Sequence, residues 1–182
     1  MPVKVTEHLT GSLKVKFTPA ELEFLMQRAG PRYLATWIAD VAATAATAIA
    51  EAHRAYAASM KRKKKAHRRK RDADERLVEV DFLPKETLGA ARSLKVDGTV
   101  QDQVELAGEL VKGGVSTLIR YLALRSAATV PAPGDSLLLA QLMEAKQAGL
   151  DIVRQLAATR KARDDIYMAL TLDLDSLQKK AS

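Results

Sequence analysis

Ser12-Leu13-Lys14-Val15 recurs as Ser93-Leu94-Lys95-Val96, 81 residues downstream. No other feature constrains the fold as much. The first copy sits in SLKVKF, residues 12–17, where Leu13, Val15 and Phe17 alternate with Ser12, Lys14 and Lys16. Period two over six residues is the pattern of a short half-buried strand. A single strand of that length leaves its backbone groups unpaired and cannot stand alone. At the same offset Thr18 meets Thr99, Leu25 meets Leu106, Thr36 meets Thr117 and Ile38 meets Ile119. Residues 77–82 are the alternative second strand, since Val80, Phe82 and Pro84 echo Val15, Phe17 and Pro19. The copy at 93–98 is preferred because the elements after it repeat as well.

Those elements are helices. Thr18, Pro19 and Glu21 supply a cap, a first-turn proline and an early acid, and the apolar positions Leu22, Leu25, Met26 and Ala29 lead to Gly30-Pro31. A second helix starts near Arg32, with Ile38, Val41, Ala45, Ile49, Ala52, Tyr56 and Met60 in steps of three and four. No breaker follows, so this helix is predicted to carry on to about Glu75. The second copy predicts a helix over 101–112, a turn at Gly113-Gly114, and a helix from Ser116 with that serine as cap. Pro131, Pro133 and Gly134 mark the clearest boundary.

Beyond it, Asp135 or Ser136 caps a long helix. Its apolar positions Leu138, Leu142, Ala145, Gly149, Ile152, Leu156 and Thr159 alternate four and three, as in a coiled-coil seam. A last helix, 161–178, carries Ala162, Ile166, Leu170, Leu174 and Leu177 opposite an acidic face of Asp164, Asp165, Asp173 and Asp175. The two read as a helical hairpin on the same chain, or as a surface for an oligomer or a partner. The segments are then 1–60, 61–92, 93–130 and 131–182, and the fold class is mainly α with a short β-ribbon. Aromatics are only 4% of the chain, which suits close-packed helices.

Charge is concentrated. Lys61, Arg62, Lys63, Lys64, Lys65, Arg68, Arg69, Lys70 and Arg71 fall within eleven residues. Removing those nine from the 29 Lys and Arg leaves 20 against 22 Asp and Glu, a net of −2 on a chain whose formal charge is +7. A near-neutral body therefore carries one polycationic arm. Nucleic-acid phosphate is the favoured partner; an anionic membrane surface and a purely solubilising role are the alternatives.

Catalysis has little to stand on. The chain has no cysteine, so disulfides, thiolate metal sites and cysteine nucleophiles are excluded. His8, His53 and His67 stand in no metal-ligand spacing, and neither a glycine-rich phosphate loop nor a nucleophile elbow is present. Asp164 and Asp165 are adjacent and do not face each other on a helix. No catalytic residue, metal or cofactor is predicted, and Trp37 reads as core. The N-terminus has no apolar signal core, and Ala42 to Ala50 is too short to span a membrane. A cytoplasmic protein without membrane insertion is expected.

A two-stranded ribbon fits the major groove of B-DNA, where each base pair shows its own donor and acceptor pattern. Ser12, Lys14 and Lys16 form the polar face such a ribbon needs. The same face also suits an ordinary edge strand whose lysines deter aggregation. Gly114-Val115-Ser116-Thr117-Leu118-Ile119-Arg120 reads as a glycine turn opening an amphipathic helix, and free N–H groups there anchor phosphate.

In these segments the sequence resembles the ribbon-helix-helix family of bacterial DNA-binding proteins. SLKVKFTPAELEFLMQRAG and SLKVDGTVQDQVELAGELVKGGVSTLIRYLAL carry the resemblance over roughly half the chain. It implies a tandem ribbon-helix-helix protein with a helical C-terminal extension. Ser12, Lys14, Lys16, Ser93 and Lys95 would meet base edges; Arg32, Val115 and Ser116 would meet phosphate. Asp97, at the position of Lys16, and Gly98 depart from the pattern. Tandem copies are similar to the TraY type of conjugation protein. FTPAELEFLMQRAGPRYLATWI with a helical tail, including EAKQAGLDIVRQLA, is similar to the MobC type of mobilisation protein. Those types imply a relaxosome accessory factor on double-stranded DNA, with a relaxase or other transfer protein on the C-terminal helices. The copies would pair as an intrachain pseudo-dimer or a homodimer. A transcriptional or partition regulator of the same fold is the alternative. From another class, the alternative is a helical structural protein with a nonspecific RNA- or membrane-binding arm.

Five or six phosphate contacts by the arm imply a slope of log affinity against log salt of roughly −5. Replacing Lys61 to Lys65 by glutamine should flatten that slope and weaken binding to all duplexes alike. An unchanged slope in a salt titration would place the arm off DNA.

Overall fold

The two repeats of Ser-Leu-Lys-Val pair with each other. A computed structural model of the chain describes residues 11–30, 32–61, 78–80 and 87–180, with backbone only at 56–61 and 160–180. Strand β1 (Gly11–Val15) and strand β2 (Arg92–Val96) form an antiparallel two-stranded sheet. Leu13 lies opposite Leu94, flanked by Ser12 opposite Lys95 and Lys14 opposite Ser93. Leu13 and Leu94 are repeat equivalents. A pseudo-twofold axis therefore passes between them and exchanges Ser12 with Ser93 and Lys14 with Lys95. Of the 77–82 alternative the described residues are 78–80, and among them Val78 makes a single parallel bridge to Val111.

Each strand leads into two helices: α1 (Pro19–Arg28) and α2 (Leu34–Lys61) after β1, α3 (Gly98–Gly108) and α4 (Gly114–Ala127) after β2. β1 packs on α3 and α4, while β2 packs on α2. Neither half can bury its strand without the other. Leu13, Val15 and Phe17 join Leu94 and Val96 in one core with Leu25, Ile38, Val41, Val104, Leu118 and Ile119. Trp37 belongs to that core and is fully buried, as expected.

Helix ends differ from the sequence expectation for local reasons. α1 starts as read, with a reciprocal capping box in which Glu21 N–H donates to Thr18 Oγ1 (3.2 Å) and Thr18 N–H to Glu21 Oε2 (2.9 Å). α3 occupies 98–108 rather than 101–112. Asp97 caps it by accepting from Thr99 N–H at 2.8 Å, so the helix begins earlier. It ends early because Val78 C=O takes the N–H of Lys112 and Leu110 C=O takes that of Val78. α4 begins at Gly114, not Ser116, and its cap is Gly113 in the left-handed conformation, φ 89°. α2 begins at Leu34, and its continuation beyond Lys61 lies outside the described residues.

The C-terminal hairpin is not formed. Leu137–Lys180 is one helix, α5, of 44 residues and therefore about 66 Å long. Neither proline nor glycine occurs after Gly149, and nothing breaks the helix between its two apolar stripes. α5 runs parallel to α2. Gln141 meets Trp37 near the start of both helices, and Gly149 lies against Ala45 and Ile49 farther along. A Cβ on Gly149 would come within 2.9 Å of Ala45 C=O, so glycine is what lets the two backbones approach so closely. Gln141 joins three elements: Trp37 Nε1–H donates to its Oε1 (2.9 Å), and its Nε2–H donates to Arg28 C=O (2.9 Å).

The chain has no cysteine of its own, and directly opposed strand residues lie within disulfide reach. Lys14→Cys combined with Ser93→Cys should therefore oxidise to an intramolecular disulfide in a dilute monomer. Crosslinks found only between chains, on non-reducing gels, would show that like strands pair between molecules instead.

Candidate nucleic-acid interface

The ribbon sorts its side chains by alternation. Leu13, Val15, Leu94 and Val96 are buried, whereas Ser12, Lys14, Ser93 and Lys95 are exposed on the opposite face. Lys16, just past β1, is exposed as well. All five residues read as base contacts thus share one surface. Across the pair, a hydroxyl stands opposite an ammonium twice, related by the pseudo-twofold axis. Hydroxyls beside amines leave this face rich in donors, which suits the acceptors of a groove floor.

Two side chains fix the ribbon to helices of the second half. Ser12 N–H donates to Gln101 Oε1 on α3 at 3.1 Å, and Lys16 N–H donates to Ser116 Oγ on α4 at 3.2 Å. Ser116 therefore does not cap its helix. Its hydroxyl is spent on the chain leaving β1, which sets the start of α4 beside Lys16. A helix leaves the N–H groups of its first turn without intrahelical acceptors. Gly114 N–H is taken by Val111 C=O (3.0 Å). Val115 and Ser116 follow, and their backbone is the anchor the resemblance assigns. Arg32 is exposed at the corresponding turn of the first half and pairs with Asp40 at 3.1 Å. Lys61 closes α2; Arg62, Lys63, Lys64, Lys65, Arg68, Arg69, Lys70 and Arg71 lie outside the described residues.

Sequence reasoning missed the residues that hold this face in place. Arg120 on α4 donates from Nε to Glu21 Oε1 (3.0 Å) and Oε2 (2.9 Å), so the capping carboxylate of α1 is also a buried ion-pair partner from the other half. Glu21 was legible as a cap, but nothing in the sequence links it to Arg120. Arg125 lies one helical turn farther on, donating to Tyr121 Oη (2.7 Å), Glu144 (2.6 Å) and Asp151 (2.9 Å). Burial alone would raise the Asp151 pKa. Hydrogen bonds from Arg125, Gln147 and Arg154 outweigh it and hold the carboxyl below its usual range. The α4–α5 clamp is accordingly charged at neutral pH. Its contribution is present above the ordinary aspartate pKa and is lost only as pH falls through the lower, folded value.

Among the described residues no group of three or more His, Asp or Glu is placed to hold a metal ion, and no helix is long and apolar enough to cross a membrane. No protein-family model, curated protein or solved structure matches the chain.

Lys14 and Lys95 are equivalent across the axis, so alanine at either should weaken binding to a cognate duplex by a similar amount, roughly 1–3 kcal/mol. Thermal melts should move little, because both side chains are exposed. Filter or fluorescence binding that is unchanged in both variants would remove the ribbon from the interface.

Proposed function

We propose that this chain is a non-enzymatic, sequence-specific double-stranded DNA-binding protein of the tandem ribbon-helix-helix type. In this reading it is an accessory factor of plasmid or mobile-element transfer. One observation carries it. A two-stranded antiparallel ribbon, built from two repeats of one chain, exposes Ser12, Lys14, Ser93 and Lys95 while burying the alternate residues. An edge strand that only needs to avoid aggregation has no reason to repeat its outward residues at pseudo-twofold positions. A reader of duplex DNA does, because the two strands of the duplex are themselves related by a dyad.

The remaining parts take roles that follow from their chemistry. The ribbon supplies base contacts, the N–H groups at Val115 and Ser116 grip a phosphate, and the polybasic arm adds salt-dependent affinity without sequence preference. α5 projects exposed Leu139 and Met143, an apolar surface suited to a protein of the transfer machinery.

The test is competition. A duplex taken from the DNA flanking the gene is bound by the full chain and challenged with excess random duplex. Retention of the flanking duplex supports specific recognition; complete displacement would reduce the protein to its arm. Stimulation of relaxase nicking at a neighbouring origin separates a transfer role from transcriptional or partition control.

A further inference from the structure

The two outer edges of the ribbon are finished differently. Ser12 and Lys16 send their N–H groups away from β2, to Gln101 Oε1 (3.1 Å) and Ser116 Oγ (3.2 Å). Opposed residues of an antiparallel pair exchange both backbone bonds or neither, in alternation. Ser12 opposite Lys95 and Lys14 opposite Ser93 are therefore pairs that exchange none. It follows that the N–H and C=O groups of Ser93 and Lys95 point outward from β2. Among the described residues no group bonds to them.

Two substitutions between the halves account for the difference. The positions equivalent to Gln101 and Ser116 are Ala20 and Ala35, both exposed and neither carrying a hydrogen-bonding side chain. Nor does α1 close on β2 as α3 closes on β1. A groove of about 590 Å³ lies there, lined by Pro19, Leu22, Glu23, Met26, Gln27 and Arg92. β1 is thus sealed from within the chain, whereas β2 keeps an open edge. An edge of that kind is a template for another strand.

Ser12-Leu13-Lys14-Val15 already pairs antiparallel with Ser93-Leu94-Lys95-Val96, leucine opposite leucine and serine opposite lysine. The tetrapeptide is self-complementary in that arrangement. From this we infer that the open edge of β2 takes β2 of a second copy of this chain, antiparallel about a twofold axis at Leu94. Ser93 of each copy then lies opposite Lys95 of the other and exchanges both backbone bonds with it. No like charges are directly opposed. Arg92 lies opposite Val96 of the second copy, so the groove falls where that copy's chain leaves its strand. The product is a four-stranded sheet whose outer strands are the sealed β1 edges, and assembly closes at two chains. The major groove, about 12 Å wide, admits a two-stranded ribbon. Four strands span about 14 Å before side chains are counted. The dimer and the groove-bound form therefore exclude each other, a step that rests on the DNA-binding reading above.

The experiment is sedimentation of the full chain over a range of concentrations, with and without a duplex from the DNA flanking its gene. A reversible monomer–dimer equilibrium is expected, with nothing larger. Ser93→Pro removes an outward N–H and leaves every β1–β2 hydrogen bond in place. Ala20→Gln combined with Ala35→Ser installs on β2 the seals of β1, and with both changes at exposed positions it should melt as the parent does. Each variant should raise the dimer dissociation constant roughly tenfold or more. A parent that stays monomeric up to its solubility limit, or a dimer unchanged in both variants, would overturn the inference. Added duplex should convert the dimer to monomer on DNA. An intact dimer on duplex would overturn the mutual exclusion. A dimer that binds no duplex at any concentration would instead overturn the DNA-binding reading and leave the interface standing.

Discussion

A five-residue strand has no stable existence outside a sheet, and among the described residues each of the two strands has only the other to pair with. The pairing brings together residues separated by the 76 positions between Val15 and Arg92. Closing such a loop costs on the order of 4 kcal/mol in chain entropy, more than a few ribbon hydrogen bonds return in net stability. The ribbon therefore depends on the core beneath it. Leu13, Val15, Leu94 and Val96 are buried against helices from both halves, and it is this apolar burial that fixes the register. A slip of one residue would send Ser12 and Lys14 into the core and the leucines into solvent. The polar face is thus set by the apolar one.

Buried polar links then join halves that packing alone would hold loosely. Glu21 caps α1 and binds Arg120; Gln141 ties α5 to Trp37 and to the end of α1; Arg125 gathers carboxylates from α5. The Glu21 and Gln141 links connect elements far apart in sequence, the Arg125 links join the consecutive helices α4 and α5, and each sits on one side of the pseudo-twofold axis only. The position equivalent to Arg120 in the first half is Ala39, and that of Trp37 in the second half is Leu118. α5 packs on α2 with Gly149 at the crossing. A single long helix added to a two-fold arrangement must choose a side, and the unsymmetrical links record that choice.

Much of this was legible in the sequence, and the boundary of legibility is physical. The strands, α1 and its capping box, and the glycine turn before α4 follow from periodicity and local hydrogen-bonding rules, which act over a few residues. The offset of 81 carried the pairing as well, because repeated patterns imply repeated environments. What failed were assignments with two local solutions. Ser116 looked like a cap, but Gly113 in the left-handed conformation starts the helix, leaving the serine hydroxyl for Lys16 N–H. Asp97 looked like a defect in a strand; it is the cap of α3. The hairpin expected near residue 160 had stripes of two registers but no breaker, and an uninterrupted helix needs only the absence of one. Long-range partners such as Glu21 and Arg120 leave no local trace. For the interface, the exposed residues were readable from alternation, but their arrangement in opposed pairs required the register.

Duplication of a strand-helix-helix unit in one chain changes what selection can act on. When two copies are separate molecules of one sequence, every substitution in the strand appears twice, and both ends of the ribbon must change together. Joined in one chain, each end drifts alone. Asp97 illustrates the consequence. In a symmetric assembly a carboxylate at that position would stand at both ends of the ribbon. In this chain it appears once, and the equivalent position at the other end of the ribbon is Lys16. The carboxylate also stabilises α3, worth about 1 kcal/mol for a helix cap. One end of the ribbon is therefore free to cap a helix while the other keeps a lysine. That division of labour is available only where Leu13 pairs with Leu94 and not with another Leu13.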